Sequence, residues 1–282
     1  MASEKTKVID WIFLTRKYDV TSGELIDPIV TMDDITDGIR ETGANLKTTN
    51  PANFWKDLTR AGARGLNRNW PQNVFESGYA GGDAIGQLDR AVFMFVPTEA
   101  GQAEPFVDAV TFAEQIPVMQ LQSLSMPQAM KALGRPGENW HAQVADRLNV
   151  VSSFFAMCSP RSVLEVNFLQ SGIKMKDGET DAAFSLIADD GQWLVSAEVK
   201  GKSEHFHLPQ IARAAYALEK TAKSVKSSTL GDIVGVIPLG IKVVGKSQLW
   251  VVEFAPVDDP NTPLTKMAEG VFELVPHVPG ID

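Results

Sequence analysis

Three charged residues lie close enough along the chain to work together: Asp181, Glu198 and Lys200. Between them sits Asp189-Asp190-Gly191-Gln192, whose Asp-Gly dipeptide favours a two-residue hairpin turn. With Asp190 and Gly191 as that turn, Asp189 pairs with Gln192, Asp181 falls opposite Lys200, and Ala183 opposite Glu198. Strand side chains alternate between faces. One face then carries Asp181, Ala183, Ser185, Ser196, Glu198 and Lys200, and the other Ala182, Phe184, Leu186, Val195, Ala197 and Val199. A slip of one residue would turn Asp181 away from the other two. Two carboxylates and an ammonium at the end of an apolar hairpin are costly to bury unless they pair or bind a cation. Magnesium takes carboxylate, water and phosphate oxygens, polarises a phosphate and activates a bound water. With a lysine to hold the nucleophile, this is a kit for phosphodiester hydrolysis. A structural Asp181–Lys200 ion pair is the plainer alternative, and it leaves Glu198 unexplained.

The surrounding elements must present that hairpin. Apolar residues at Trp140, Val144, Leu148, Val151 and Phe155 recur every three or four positions and predict an amphipathic helix over Asn139–Met157, stopped by Pro160. Strands are expected at Ser162–Leu169, Thr180–Ile187 and Gln192–Val199, a helix at Leu208–Lys223, and strands at Asp232–Ile237 and Gln248–Phe254. This order predicts an α/β (α+β) fold, a central mixed sheet flanked by helices. Pro127, Gly134, Pro136 and Gly137 mark a linker over Ser123–Gly137, with a short helix at Pro127–Leu133. The chain accordingly divides into 1–125 and 126–282.

The chain has 282 residues, 44% hydrophobic and 22% charged, as in a globular protein. Its formal charge of -9 excludes a polybasic coat and leaves room for a local basic face. The lone cysteine, Cys158, excludes a disulfide framework and a Cys-rich zinc site. Trp11–Leu14 is too short an apolar run for a signal peptide, and Pro238 and Lys242 interrupt Ile233–Val244, so a cytoplasmic protein without membrane partners is expected.

Gly178-Glu179-Thr180-Asp181 followed by Ser196-Ala197-Glu198-Val199-Lys200-Gly201 resembles the core of the PD-(D/E)XK nuclease superfamily, and helix, three strands, helix, strand matches that family's core over about 140–256. The resemblance implies a restriction-endonuclease-like core in which Asp181, Glu198 and the carbonyl of Val199 bind Mg²⁺, Lys200 stands near the attacking water, and Gln210 acts from the following helix. Thr180 replaces the usual proline, which keeps Glu179 open as a substitute for Asp181. Glu165 and Glu138 are both candidates for a further family glutamate. The layout looks most like a type II restriction endonuclease, which implies site-specific cleavage of double-stranded DNA by a homodimer. A modification-dependent or repair nuclease of the same fold and a non-catalytic DNA-binding regulator are the alternatives.

The first half reads as a mixed, partly helical DNA-recognition domain. Thr31-Met32-Asp33-Asp34 opens a helix that Gly43 stops, and Thr49-Asn50-Pro51 opens a second over Pro51–Arg60 with Phe54, Trp55 and Leu58 inward. Their spacing suits helix-turn-helix or winged-helix elements. Six basic residues against two acidic ones give 40–68 a charge of +4. Arg40, Lys47, Lys56, Arg60, Arg64 and Arg68 are therefore candidates for phosphate contact, and Asn53 and Asn69 for base contact. Lys202 lines the cleft or is solvated, and His205 and His207 face DNA or stand exposed. A solvated helical face and an ordinary polar loop are the competing readings, and zinc at the two histidines lacks a cysteine partner.

Overall fold

Thr31 begins a helix for local reasons. In the computed structural model its side chain accepts from the Asp34 N–H while Asp34 accepts from the Thr31 N–H, a reciprocal capping box. Gly43 ends the same helix in the left-handed conformation, φ 63°. The structure describes residues 3–46, 70–82, 91–99, 118–176, 178–225, 231–260 and 263–282, with positions 54, 55, 58, 84, 102, 105, 110 and 116. Two compact units divide the chain: Met1–Asp108 with Ser203–His205, and Ala109–Lys202 with Phe206–Asp282.

The N-terminal unit contains α1 (Glu4–Ile12), a π-helical turn at Phe13–Lys17, β1 (Tyr18–Asp19), β2 (Glu24–Leu25), β3 (Ile29–Thr31), α2 (Met32–Thr42), α3 (Gln72–Glu76), β4 (Tyr79–Gly82) and β5 (Ala91–Pro97). Strands β3, β5 and β4 form an antiparallel sheet in that order. Phe54, Trp55 and Leu58 are helical and buried, as their spacing predicts, and Trp55 stacks on Phe93 at 4.9 Å. Most of the second predicted helix, and with it the helix-turn-helix reading, lies outside the described residues.

The C-terminal unit is mixed α/β. It contains β6 (Val118–Gln122), α4 (Gln128–Leu133), α5 (Glu138–Arg147), α6 (Val150–Met157), β7 (Val163–Met175), β8 (Gly178–Ala188), β9 (Gly191–Lys200), α7 (Leu208–Ser224), β10 (Ile233–Gly245), β11 (Gln248–Phe254) and β12 (Lys266–Val275). Seven strands form one sheet in the order β6-β12-β11-β10-β9-β8-β7. The β9–β10 and β6–β12 pairs are parallel and the rest antiparallel. Ala182, Phe184, Leu186, Val195, Ala197 and Val199 pack with α5 and α6 on one face. Ala183 and Leu194 pack with Ala215, Leu218 and Ala222 of α7 on the other. The period-two assignment of faces therefore holds, and helices flank the sheet on both sides.

Several expectations change. The single helix over Asn139–Met157 is two, α5 and α6, because Asn149 adopts φ 55° and interrupts the helical path. Strand β10 runs through Pro238 to Gly245; its ladder with β11 starts only at Leu239, so the missing N–H of Pro238 falls before it. The units part at Asp108, not at 125/126, because β6 joins the C-terminal sheet by pairing with β12. No described helix is long and apolar enough to cross a membrane.

Candidate active site

The β8–β9 hairpin sets the geometry. Its ladder runs from Ala188↔Gly191 to Ala182↔Ala197, so Asp189 and Asp190 make the turn and not Asp190-Gly191. Gly191, at φ 129°, leaves the turn in a conformation that suits glycine. The true register pairs Ala183 with Ser196, whereas the sequence alone placed it opposite Glu198. A change of two residues along the partner strand preserves the shared face, because side chains alternate with period two. Past the last ladder pair, the side chain of Asp181 takes over: its Oδ2 accepts the Val199 N–H at 2.8 Å. Beside it, Ser196 Oγ lies 3.0 Å from Thr180 Oγ1, and Thr180 Oγ1 lies 3.0 Å from the Ala182 carbonyl. These bonds close the end of the hairpin and fix the direction of Asp181.

Four oxygen-bearing groups converge on Lys200. Its Nζ lies 2.5 Å from Glu198 Oε1, 2.8 Å from Glu138 Oε1 and 3.8 Å from Asp181 Oδ2, and donates to the Val199 carbonyl at 3.2 Å. Glu138 comes from the first turn of α5, 62 residues away in the chain. Gln210, on α7, donates from Nε2 to Glu198 Oε1 at 2.8 Å. Burial opposes the charged form of Lys200, but Glu198, Asp181 and Glu138 outweigh it and hold its pKa above the ordinary lysine value. The ammonium is therefore charged at neutral pH, and the three carboxylates leave the four-group cluster at a formal -2. The side chains of Lys200 and Glu198 are only 1% and 2% exposed, while those of Asp181 and Glu138 retain 20% and 31%. Solvent thus reaches the cluster from the Asp181–Glu138 side. On that side Glu138 also lines a cavity of about 610 Å³ with Arg135, Asn139, Trp140 and Gln143.

Asp181, not the exposed Glu179, enters the cluster. Glu138 enters it too, whereas Glu165 is exposed and bonds Asn167 at 2.6 Å. Lys242, which in the sequence only interrupts the apolar run Ile233–Val244, is buried and pairs in register with Lys200 across β9–β10. Its only signal is a lysine within an otherwise apolar strand. Gly240 pairs with Glu198 in the same ladder, where an added Cβ would stand 2.8 Å from Phe206 and from Val252.

The candidate DNA-binding residues fare differently. Arg40 is exposed on α2 and pairs with Asp37 at 2.9 Å and Glu41 at 3.0 Å on its own helix. Lys202 is exposed just after β9, and His205 is half-buried. His207 is buried at the N-cap of α7, not exposed, because the chain turns into the helix there. Lys47, Asn53, Lys56, Arg60, Arg64, Arg68 and Asn69 lie outside the described residues. Burial pushes the Cys158 thiol up, and its Sγ sits 3.9 Å from Met119 Sδ, which suits packing and not nucleophilic attack.

A hard cation fits this donor set by chemistry: every converging atom is oxygen, and the residual charge is that of a divalent counter-ion. Among the described residues no group of three or more His, Cys, Asp or Glu side chains is spaced to hold a metal ion. The oxygens here surround the Lys200 ammonium at hydrogen-bond and ion-pair distances of 2.5–3.8 Å. Compared with family models, curated proteins and solved structures, the chain matches none.

Proposed function

We propose that the chain is a Mg²⁺-dependent endonuclease of the PD-(D/E)XK kind, cleaving double-stranded DNA site-specifically as type II restriction endonucleases do. The observation that carries this reading is the convergence of Asp181, Glu198, the Val199 carbonyl and Lys200 at one end of the β8–β9 hairpin. The order α5–α6, β7, β8, β9, α7, β10, with β10 parallel to β9, supports a restriction-endonuclease-like core. Asp181, Glu198 and the Val199 carbonyl would hold the metal, with Glu138 beside them. Mg²⁺ would supply Lewis-acid stabilisation of the phosphate and a more acidic bound water. The chain's own residues do the rest. Val199 N–H orients Asp181, Gln210 orients Glu198, and Lys200 would hold the attacking water in place. Cutting two antiparallel strands suits a homodimer, since a two-fold protein matches a near-palindromic site.

The test is digestion of methylated and unmethylated supercoiled plasmid with Mg²⁺ or with EDTA. Discrete Mg²⁺-dependent fragments are expected, with DNA binding but no cutting by Lys200→Ala and Asp181→Asn. Cutting of the methylated plasmid alone would indicate a modification-dependent enzyme instead. Binding without cutting of either plasmid would indicate a regulator, and full cutting by Lys200→Ala would overturn the site.

A further inference from the structure

The ammonium of Lys200 occupies a position that the metal would also claim. Glu198 Oε1, Asp181 Oδ2 and the Val199 carbonyl all lie within 3.8 Å of Nζ, and these are the three groups assigned to the metal above. A divalent ion bound at Glu198 Oε1 would take the place that the ammonium now holds 2.5 Å from that atom, and two cations in direct contact with one oxygen repel each other. We infer that Lys200 is an internal counter-cation that competes with the metal for the same oxygens, so that metal uptake requires its ammonium to swing away from Glu198.

The chain is built for such an exchange. Lysine carries a compact charge on a flexible four-carbon stem, so the head group can move while the stem stays packed. Without a counter-ion the three carboxylates would face one another largely out of water, a costly state that the ammonium relieves. Lys200 thus stabilises the metal-free fold at the expense of metal affinity. Removing a side chain that the reaction needs should therefore strengthen metal binding. This inference rests on the metal-dependent reading, and its test separates the two.

Mn²⁺ binding to the full chain is measured by electron paramagnetic resonance of the free ion, without DNA, for the wild type, Lys200→Met and Lys200→Arg. Lys200→Met keeps the apolar stem and is expected to bind Mn²⁺ at least about tenfold more tightly, the direction that removing a like charge from the cage requires. Lys200→Arg, which keeps the charge, should stay near the wild type. If wild-type protein binds and Lys200→Met binds no tighter, the competition is wrong and the metal reading stands. If none of the three binds, both fall. Should Lys200→Met fail to fold, ¹⁵N-lysine spectra of the wild type decide. The slowly exchanging Lys200 ammonium signal expected of so buried a group should shift or vanish at saturating Mg²⁺, and an unchanged signal with metal bound would overturn the inference.

Discussion

Gln210 Nε2 donates to Oε1 of Glu198 at 2.8 Å, joining helix α7 to strand β9 at the oxygen atom that also meets Lys200. A neutral amide thereby positions a buried carboxylate without adding charge. Hydrogen bonds to charged groups contribute about 1.5–3 kcal/mol. Gln210→Leu should lower unfolding free energy by about that much in urea denaturation. Gln210→Glu adds a fourth carboxylate, should cost more, and should regain part of the loss when Mg²⁺ is added. A Leu variant as stable as the wild type would show that the bond contributes nothing.

Glu253 is fully buried, and Arg161 Nε donates to its Oε1 at 2.8 Å while the guanidinium lies 4.4 Å from the Trp193 ring centre. Oε2 of Glu253 has no hydrogen-bond partner among the described residues. Arg161→Met would strand this carboxylate, and breaking a buried pair typically costs about 3–5 kcal/mol. The double variant Arg161→Met/Glu253→Leu should recover most of the loss, because no charge is then buried. Chemical denaturation of the set measures this, and additive losses would refute it.

Asp34 gives the N-terminal unit an acid sensitivity. Burial opposes its ionised form, but hydrogen bonds from Thr31, Arg16 and Lys17 outweigh burial and hold its pKa below the ordinary aspartate value. A folded pKa below the unfolded one stabilises at pH values above the unfolded pKa of about 3.9, and the benefit is lost as pH falls through the folded value. Asp34→Asn should therefore melt below the wild type at pH 7, with the gap narrowing once pH drops below about 4. A gap of equal size at pH 2.5 and pH 7 would contradict this.

Asn149 separates α5 from α6 at φ 55°. A left-handed conformation costs most residues roughly 1–2 kcal/mol, and asparagine or glycine much less. Asn149→Gly should be close to neutral, and Asn149→Val should lower the melting temperature. If Val is tolerated as well as Gly, the break is not held by this residue.

What could be read early was local. Thr31, Asp34 and Gly43 bound α2 through bonds within one or two turns, so their spacing sufficed. The two faces of the hairpin followed from strict alternation, which is why they survived an error in the turn: Asp-Gly pointed to Asp190-Gly191, and the chain turns at Asp189-Asp190. Strands β6 and β12 carry no comparable local signal. Val118–Gln122 is half-exposed and becomes a strand by pairing with a segment about 150 residues later.

The sequence by itself determined the types and the shared face of Asp181, Glu198 and Lys200, because side-chain direction in a strand depends only on period two. Tertiary structure alone decided that Glu138 joins them, that Asp181 and not Glu179 reaches Lys200, and that Lys200 is sealed among oxygens. Those outcomes depend on where α5 and α7 dock on the sheet, and docking is set by packing between residues far apart in the chain.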